Sequence, residues 1–241
     1  MALGKFKWTA IKKKDIKWFL VWLIPSSVLP ILSFLAFNHL PIGMVTFLNY
    51  ATMISGGIIS GRLFFSEKIN SDKLASLVLI LVGLILIYYS DISLATNIYV
   101  FFALLSGLIL GFWNTLTKKI SGNYSSMQMI LLDKSSTFVA GFIGFLFTRE
   151  SLPSMVDSTP WLWILIFAYS SIFVVLLLMW GFKYLGAQVG TLILPTGLVF
   201  SSIFGYLFFG EMLRINAYIG GILIFLAAVL PVIKWPKLFQ S

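Results

Sequence analysis

The sequence predicts an all-α, polytopic membrane helix bundle of eight transmembrane helices, arranged as an inverted repeat of three plus five. Three observations predict it. The 241 residues are 59% hydrophobic and only 10% charged, with a mean hydropathy of +0.99, whereas a soluble domain carries about 25% charged residues. The apolar residues fall in long runs, with nearly all Lys and Arg between them. A segment around Phe64 recurs around Phe208.

A span needs about 20 predominantly apolar residues, and runs of that kind lie at 17–37, 42–65, 74–90, 98–117, 126–148, 160–183, 188–210 and 215–233. The first holds Pro25 and Pro30, is too long for the core of a secretory signal and lacks a small-x-small cleavage site, so it reads as a retained helix. In the second, Thr46, Asn49, Tyr50, Met53, Gly56 and Ser60 follow helical spacing and form one small or polar face. Ser106, Gly107, Trp113, Asn114 and Thr117 do the same in the fourth, and the fifth carries Asp133 and Lys134. Pro195 interrupts the seventh. Trp18, Tyr88, Tyr89, Trp161, Trp163 and Trp235 cluster near span ends, as interfacial anchors do.

Alternate loops differ sharply in charge. Fourteen Lys and Arg fall on one side, among them Lys5, Lys12, Arg62, Lys118 and Lys234, against Arg149 and Arg214 on the other. Cytoplasmic loops retain positive charge, which places the basic tail 1–16 and the tail 234–241 in the cytoplasm and the spans in the plasma (inner) membrane. The basic amino-terminal tail is explained as a topology signal, so no nucleic-acid partner is expected.

Internal comparison organises the spans. Gly61-Arg-Leu-Phe-Phe-Ser-Glu67 reappears as Gly205-Tyr-Leu-Phe-Phe-Gly-Glu211, an offset of 144. Residues 17–90 thus form a first, incomplete repeat and 97–233 a second of five spans. Projected back, the first unit lacks about two spans at its front. Five-span units in series cross the membrane in opposite senses, the plan of secondary transporters with a midplane site. An open side would expose Asn49 to lipid, so an upstream start or a homodimer is expected to cover it.

The stretch LFFGEMLRINAYIGGILIFLAAVL, a helix-ending [Leu/Phe]-Phe-x-Glu followed by a Gly-containing apolar helix, resembles the EamA-type members of the drug/metabolite transporter superfamily. The resemblance implies ten helices as two inverted five-helix units that export or import small metabolites such as amino acids. Segments 43–50 and 112–119 also resemble aromatic amino-acid exporters of that superfamily, whose residues at the positions of Asn49 and Trp113 are aromatic.

Catalytic chemistry is not encoded. With no Cys and one His there is no thiolate or His-pair metal site. HExxH, GxSxG with a partner His, a phosphate loop and a carboxylate cluster are all missing, so neither an enzyme nor a cofactor is expected. Gly57-xxx-Gly61, Gly107-xxx-Gly111 and Gly186-xxx-Gly190 have helix-packing spacing. Glu67 and Glu211 lie at opposite ends of the spans and read as turn residues that accept hydrogen bonds from the amides of the following helix. His39 falls in a short loop.

The expected solute contacts are Asn49, Tyr50, Trp113 and Asn114, with the cavity lined by the second and fourth to seventh spans. An interhelical hydrogen bond would explain Asn49 and Asn114 equally well. Asp133 is expected inside the membrane on a face with Met129, Ser136, Thr137, Ala140 and Gly144, there to meet a cationic group of the substrate, to carry a coupling proton, or to bind a neighbouring helix's donor. Lys134 is turned about 100° away and is expected to snorkel rather than neutralise it. The resulting expectation is a secondary transporter of a small organic metabolite working by alternating access. The alternative is a truncated or degenerate relative that inserts or associates without transporting.

Overall fold

The computed structural model describes residues 8–88, 98–148, 158–209 and 215–233. Every regular element among them is helical: α1 (Lys13–His39), α2 (Ile42–Phe65), α3 (Ser71–Tyr88), α4 (Ile98–Ser121), α5 (Ser126–Thr148), α6 (Thr159–Tyr184), α7 (Ala187–Ile193), α8 (Thr196–Phe209) and α9 (Ile215–Ile233). The first six are long and apolar enough to cross a membrane, and Ala187–Phe200 and Ile215–Pro231 are shorter apolar stretches. The chain is therefore an all-helical, polytopic integral membrane protein. Glu211, Trp235, Tyr89 and the outer parts of both tails lie outside the described residues.

The expected seventh span is not one helix but two. Proline has no N–H to donate and its ring collides with the preceding turn, so α7 stops before Leu194-Pro195 and α8 begins at Thr196. The break is closed by short-range bonds from the Gly197 amide to the Leu194 carbonyl and from the Leu198 amide to the Pro195 carbonyl, each 3.0 Å. Pro25 and Pro30 instead lie inside α1 without ending it. Pro30 deprives the Ser26 carbonyl of its amide, and the Thr137 hydroxyl lies 3.3 Å from that oxygen.

The chain divides into two compact units, residues 1–31 with 116–184 and residues 32–115 with 185–241. In the first unit, Trp22 Nε1 donates to Thr117 Oγ1 at 2.8 Å and the rings of Phe19 and Tyr124 meet edge to face at 4.9 Å. Thr9 and Lys12, just ahead of α1, are held by the rest of the unit. Gln128 accepts from the Thr9 amide at 3.1 Å and donates to the Thr9 carbonyl at 2.8 Å, while Tyr124 accepts from the Lys12 amide at 3.1 Å and donates to Asp15 at 2.8 Å. Burial raises the Tyr124 phenol above its ordinary pKa; the bond from the Lys12 amide opposes this, and the adjacent Asp15 carboxylate adds to it.

In the second unit, Met53, Ile54, Ile80, Leu84, Leu192 and Ile224 form a buried apolar cluster from α2, α3, α7 and α9. Glycines let the helices close on one another. A Cβ on Gly111 would strike the Met53 carbonyl, and one on Gly107 the Asn49 carbonyl, so α4 lies directly on the α2 backbone. Gly57 and Gly61 meet Thr191 and Gln188 of α7 in the same way.

Candidate solute-binding cavity

A cavity of about 310 Å³ opens in the second unit along α2. Thr46, Asn49, Tyr50 and Met53 line it at helical spacing. Ser33 and Phe37 of α1, Leu110 of α4 and Leu198 of α8 complete the lining. Helix breakage matters here, because the turn at Pro195 starts α8 just before Leu198. Asn49 is seven residues into α2, about 10 Å from its start at 1.5 Å per residue.

The polar groups of the cavity are oriented from behind. Ser106, only 1% exposed, donates its hydroxyl to Asn49 Oδ1 at 2.6 Å, and the Ser106 Oγ also lies 2.9 Å from the Ala103 carbonyl. Ser106 holds the Asn49 carbonyl and so orients the amide, whose NH₂ is the donor it offers a ligand. The Thr46 hydroxyl donates to the Ile42 carbonyl at 2.8 Å, which leaves its lone pairs to accept. Tyr50 has no hydrogen-bond partner for its hydroxyl among the described residues.

The polar face expected on the second span thus divides. Its first four members line the cavity, while Gly56 packs on Leu108 and Ser60 donates to Thr115 at 2.7 Å, holding α2 to α4. Of the expected contacts, Asn49 and Tyr50 are brought together in the lining. Trp113 and Asn114 are buried, 7% and 0% exposed, and are not among its lining residues. Asn114 follows Leu110 by one helical turn, and neither polar atom of its side-chain amide has a hydrogen-bond partner among the described residues.

Asp133 belongs to the first unit and is 3% exposed. Ser26 donates to its Oδ1 at 2.5 Å, and the hydroxyls of Ser136 and Thr137 bond its backbone carbonyl at 2.8 and 3.0 Å. The small and polar surroundings are as the sequence suggests. The separation of Lys134 is not: its Nζ lies 3.6 Å from Asp133 Oδ2. Adjacent helical positions diverge at Cβ, but a four-carbon stem is long enough to fold back across the intervening angle.

The first turn of the helix that follows Glu67 is capped by Asn70, accepting from the Lys73 amide at 3.2 Å. Glu67 itself accepts from the Ala187 and Gln188 amides at the start of α7, at 2.6 and 3.1 Å. Ser66, in the left-handed region at φ 52°, turns the chain so that Glu67 points there. Lys73 completes the cluster, 2.6 Å from Gln188 Oε1 and 3.6 Å from Glu67. His39 ends α1 rather than lying in a loop, with Nδ1 2.9 Å from the Leu35 carbonyl and its ring stacked on Tyr99 at 3.7 Å.

Sequence reasoning missed Ser33 and Phe37, although their separation by one helical turn toward the second span was a usable signal. It also missed Ser26 as the donor to Asp133. Leu110 and Leu198 carry no such signal, since an apolar residue in a span looks the same whether it faces lipid or a cavity.

The EamA-like transporter family matches residues 97–233, more than half of the chain. A solved structure described only as the crystal structure of a protein superposes with a TM-score of 0.68 at 14% identity, over 91% of this chain and 77% of its own. At that identity the likeness is one of fold. No curated protein matches the sequence.

Proposed function

Because the chain belongs to the EamA-like transporter family, whose members are transporters rather than enzymes, we propose that it is a secondary transporter carrying a small organic metabolite through the α2 cavity by alternating access. The observation that carries this reading is a cavity in which Asn49 and Tyr50, on a helix long and apolar enough to cross a membrane, stand among apolar side chains. Such a cavity, with a few convergent polar groups in an apolar wall, suits a small-molecule site. Below Met53 the second unit is closed by the apolar cluster and by the contacts of Gly57 and Gly61 with α7. The cavity therefore stands on the side of the α1–α2 connection, and the Glu67–Lys73–Gln188 cluster ties the chain together at the other end of α2.

The same reading places both termini in the cytoplasm of the plasma (inner) membrane, as the loop charges favour. It gives the coupling proton to Asp133, a buried carboxylate in a span with a hydroxyl donor already aimed at it. Trp113 and Asn114 act one turn beyond the cavity, meeting the solute as the helices shift.

Export is the direct test. Metabolites released by cells expressing the chain are compared with those from cells expressing Asn49→Leu or Leu110→Trp, with membrane insertion checked in each. A small organic species released by the unaltered chain and lost in both variants supports the assignment. Equal release from all three refutes it.

A further inference from the structure

The lining of the α2 cavity carries no charge. Phe37, Met53, Leu110 and Leu198 are apolar, and the polar remainder is hydroxyls and one carboxamide. We propose that this cavity takes an uncharged organic molecule with a hydrogen-bond acceptor at one end and an apolar or aromatic body, and that it rejects ions and amino-acid zwitterions. The proposal rests on the cavity being the solute site and narrows its ligand.

The argument is one of solvation. Asn49 lies about 10 Å inside its helix, and a charge brought there leaves water without gaining a partner of opposite sign from the lining. Only a neutral molecule enters without that cost. A bare apolar molecule fits no better, because it would leave the Asn49 NH₂ without an acceptor after Ser106 has taken up the carbonyl side. The ligand's acceptor meets that NH₂. The Tyr50 hydroxyl serves as a second donor, and the Thr46 oxygen accepts from any N–H or O–H the ligand carries. The four apolar side chains bury the rest. At about 310 Å³ the space is at the small end of ligand pockets, roughly 300–1,000 Å³, which suits a monocyclic molecule.

Benzamide, benzoate and benzylammonium share a shape and differ in charge. Their binding to the purified full chain in lipid nanodiscs, measured by equilibrium dialysis at neutral pH, isolates the charge term. Benzamide should bind at least about tenfold more tightly than either ion and should be lost in Leu110→Trp, which fills the space, and in Asn49→Leu. Thermal unfolding curves confirm that both variants fold. If either ion binds as well as benzamide and is displaced by Leu110→Trp, the uncharged class is wrong while the cavity remains the site. If binding is missing, or is indifferent to Leu110→Trp, the cavity itself is not the site and the proposal falls with it.

Discussion

The Glu67 carboxylate, just past the end of α2, accepts the Ala187 amide at 2.6 Å across 120 residues of sequence. That bond meets a need of the helix that follows α6: α7 starts at Ala187 after Gly186, is buried, and its first amides have no carbonyl of their own helix to bond. Gln188 adds a second tie, donating through Nε2 to the Ile58 carbonyl at 3.1 Å. One end of the second unit is thereby tied by a handful of polar bonds as well as by apolar packing.

Glu67→Ala should lower stability by about 1–2 kcal/mol, since two helix-start amides lose their acceptor. Glu67→Gln keeps one acceptor oxygen and should lose less. Melting temperatures of the purified proteins should fall in that order; an unchanged Glu67→Ala protein would show that the carboxylate is dispensable there.

Asn114 presents the reverse case. A fully buried amide without partners costs about 1–3 kcal/mol relative to a satisfied or apolar group. Asn114→Leu is expected to raise the melting temperature while reducing transport, as residues kept for function often do. A lowered melting temperature would mean that the amide has partners in the folded protein.

Asp133→Asn preserves the oxygen that accepts from Ser26 and removes the charge. Its unfolding should stay near that of the unaltered chain while proton-driven transport in proteoliposomes is lost. Ser26→Ala should instead destabilise by about 1–3 kcal/mol, because a buried carboxylate oxygen loses its donor. Retained coupling in Asp133→Asn would remove this residue from the mechanism.

Gly111→Ala places a methyl group against the Met53 carbonyl and within 2.6 Å of the Gly57 amide nitrogen. Overpacking of this kind costs about 1–3 kcal/mol, and the melting temperature should drop accordingly. Gly141→Ala, where a Cβ meets nothing within 4 Å, is the matched control and should be neutral.

Much of the fold was legible because apolar length is written directly into a membrane sequence. The expected limits 42–65, 126–148 and 215–233 coincide with α2, α5 and α9. Pro195 was visible as an interruption, but sequence could not distinguish it from Pro25 and Pro30, which α1 absorbs. The site was only half legible. Asn49 and Tyr50 stand out as polar residues in a span, and their helical face was readable from spacing. Their neighbours Ser33 and Leu198 come from elsewhere in the chain, and only the folded arrangement unites them. The partner of Glu67 was hidden for the same reason: Ala187 lies 120 residues further on, and only the folded arrangement brings the start of α7 to the carboxylate.

Alternating access makes one demand that can be read without knowing the solute. The chain has no cysteine of its own, so a single Thr46→Cys reports on the cavity wall and a single Asn38→Cys on the adjoining exposed end of α1. A membrane-impermeant maleimide added to intact cells should label both, and benzamide should protect Thr46→Cys alone. Labelling of Asn38→Cys with Thr46→Cys inert from either side of the membrane would show that the α2 cavity never meets water, which contradicts a transport path through it.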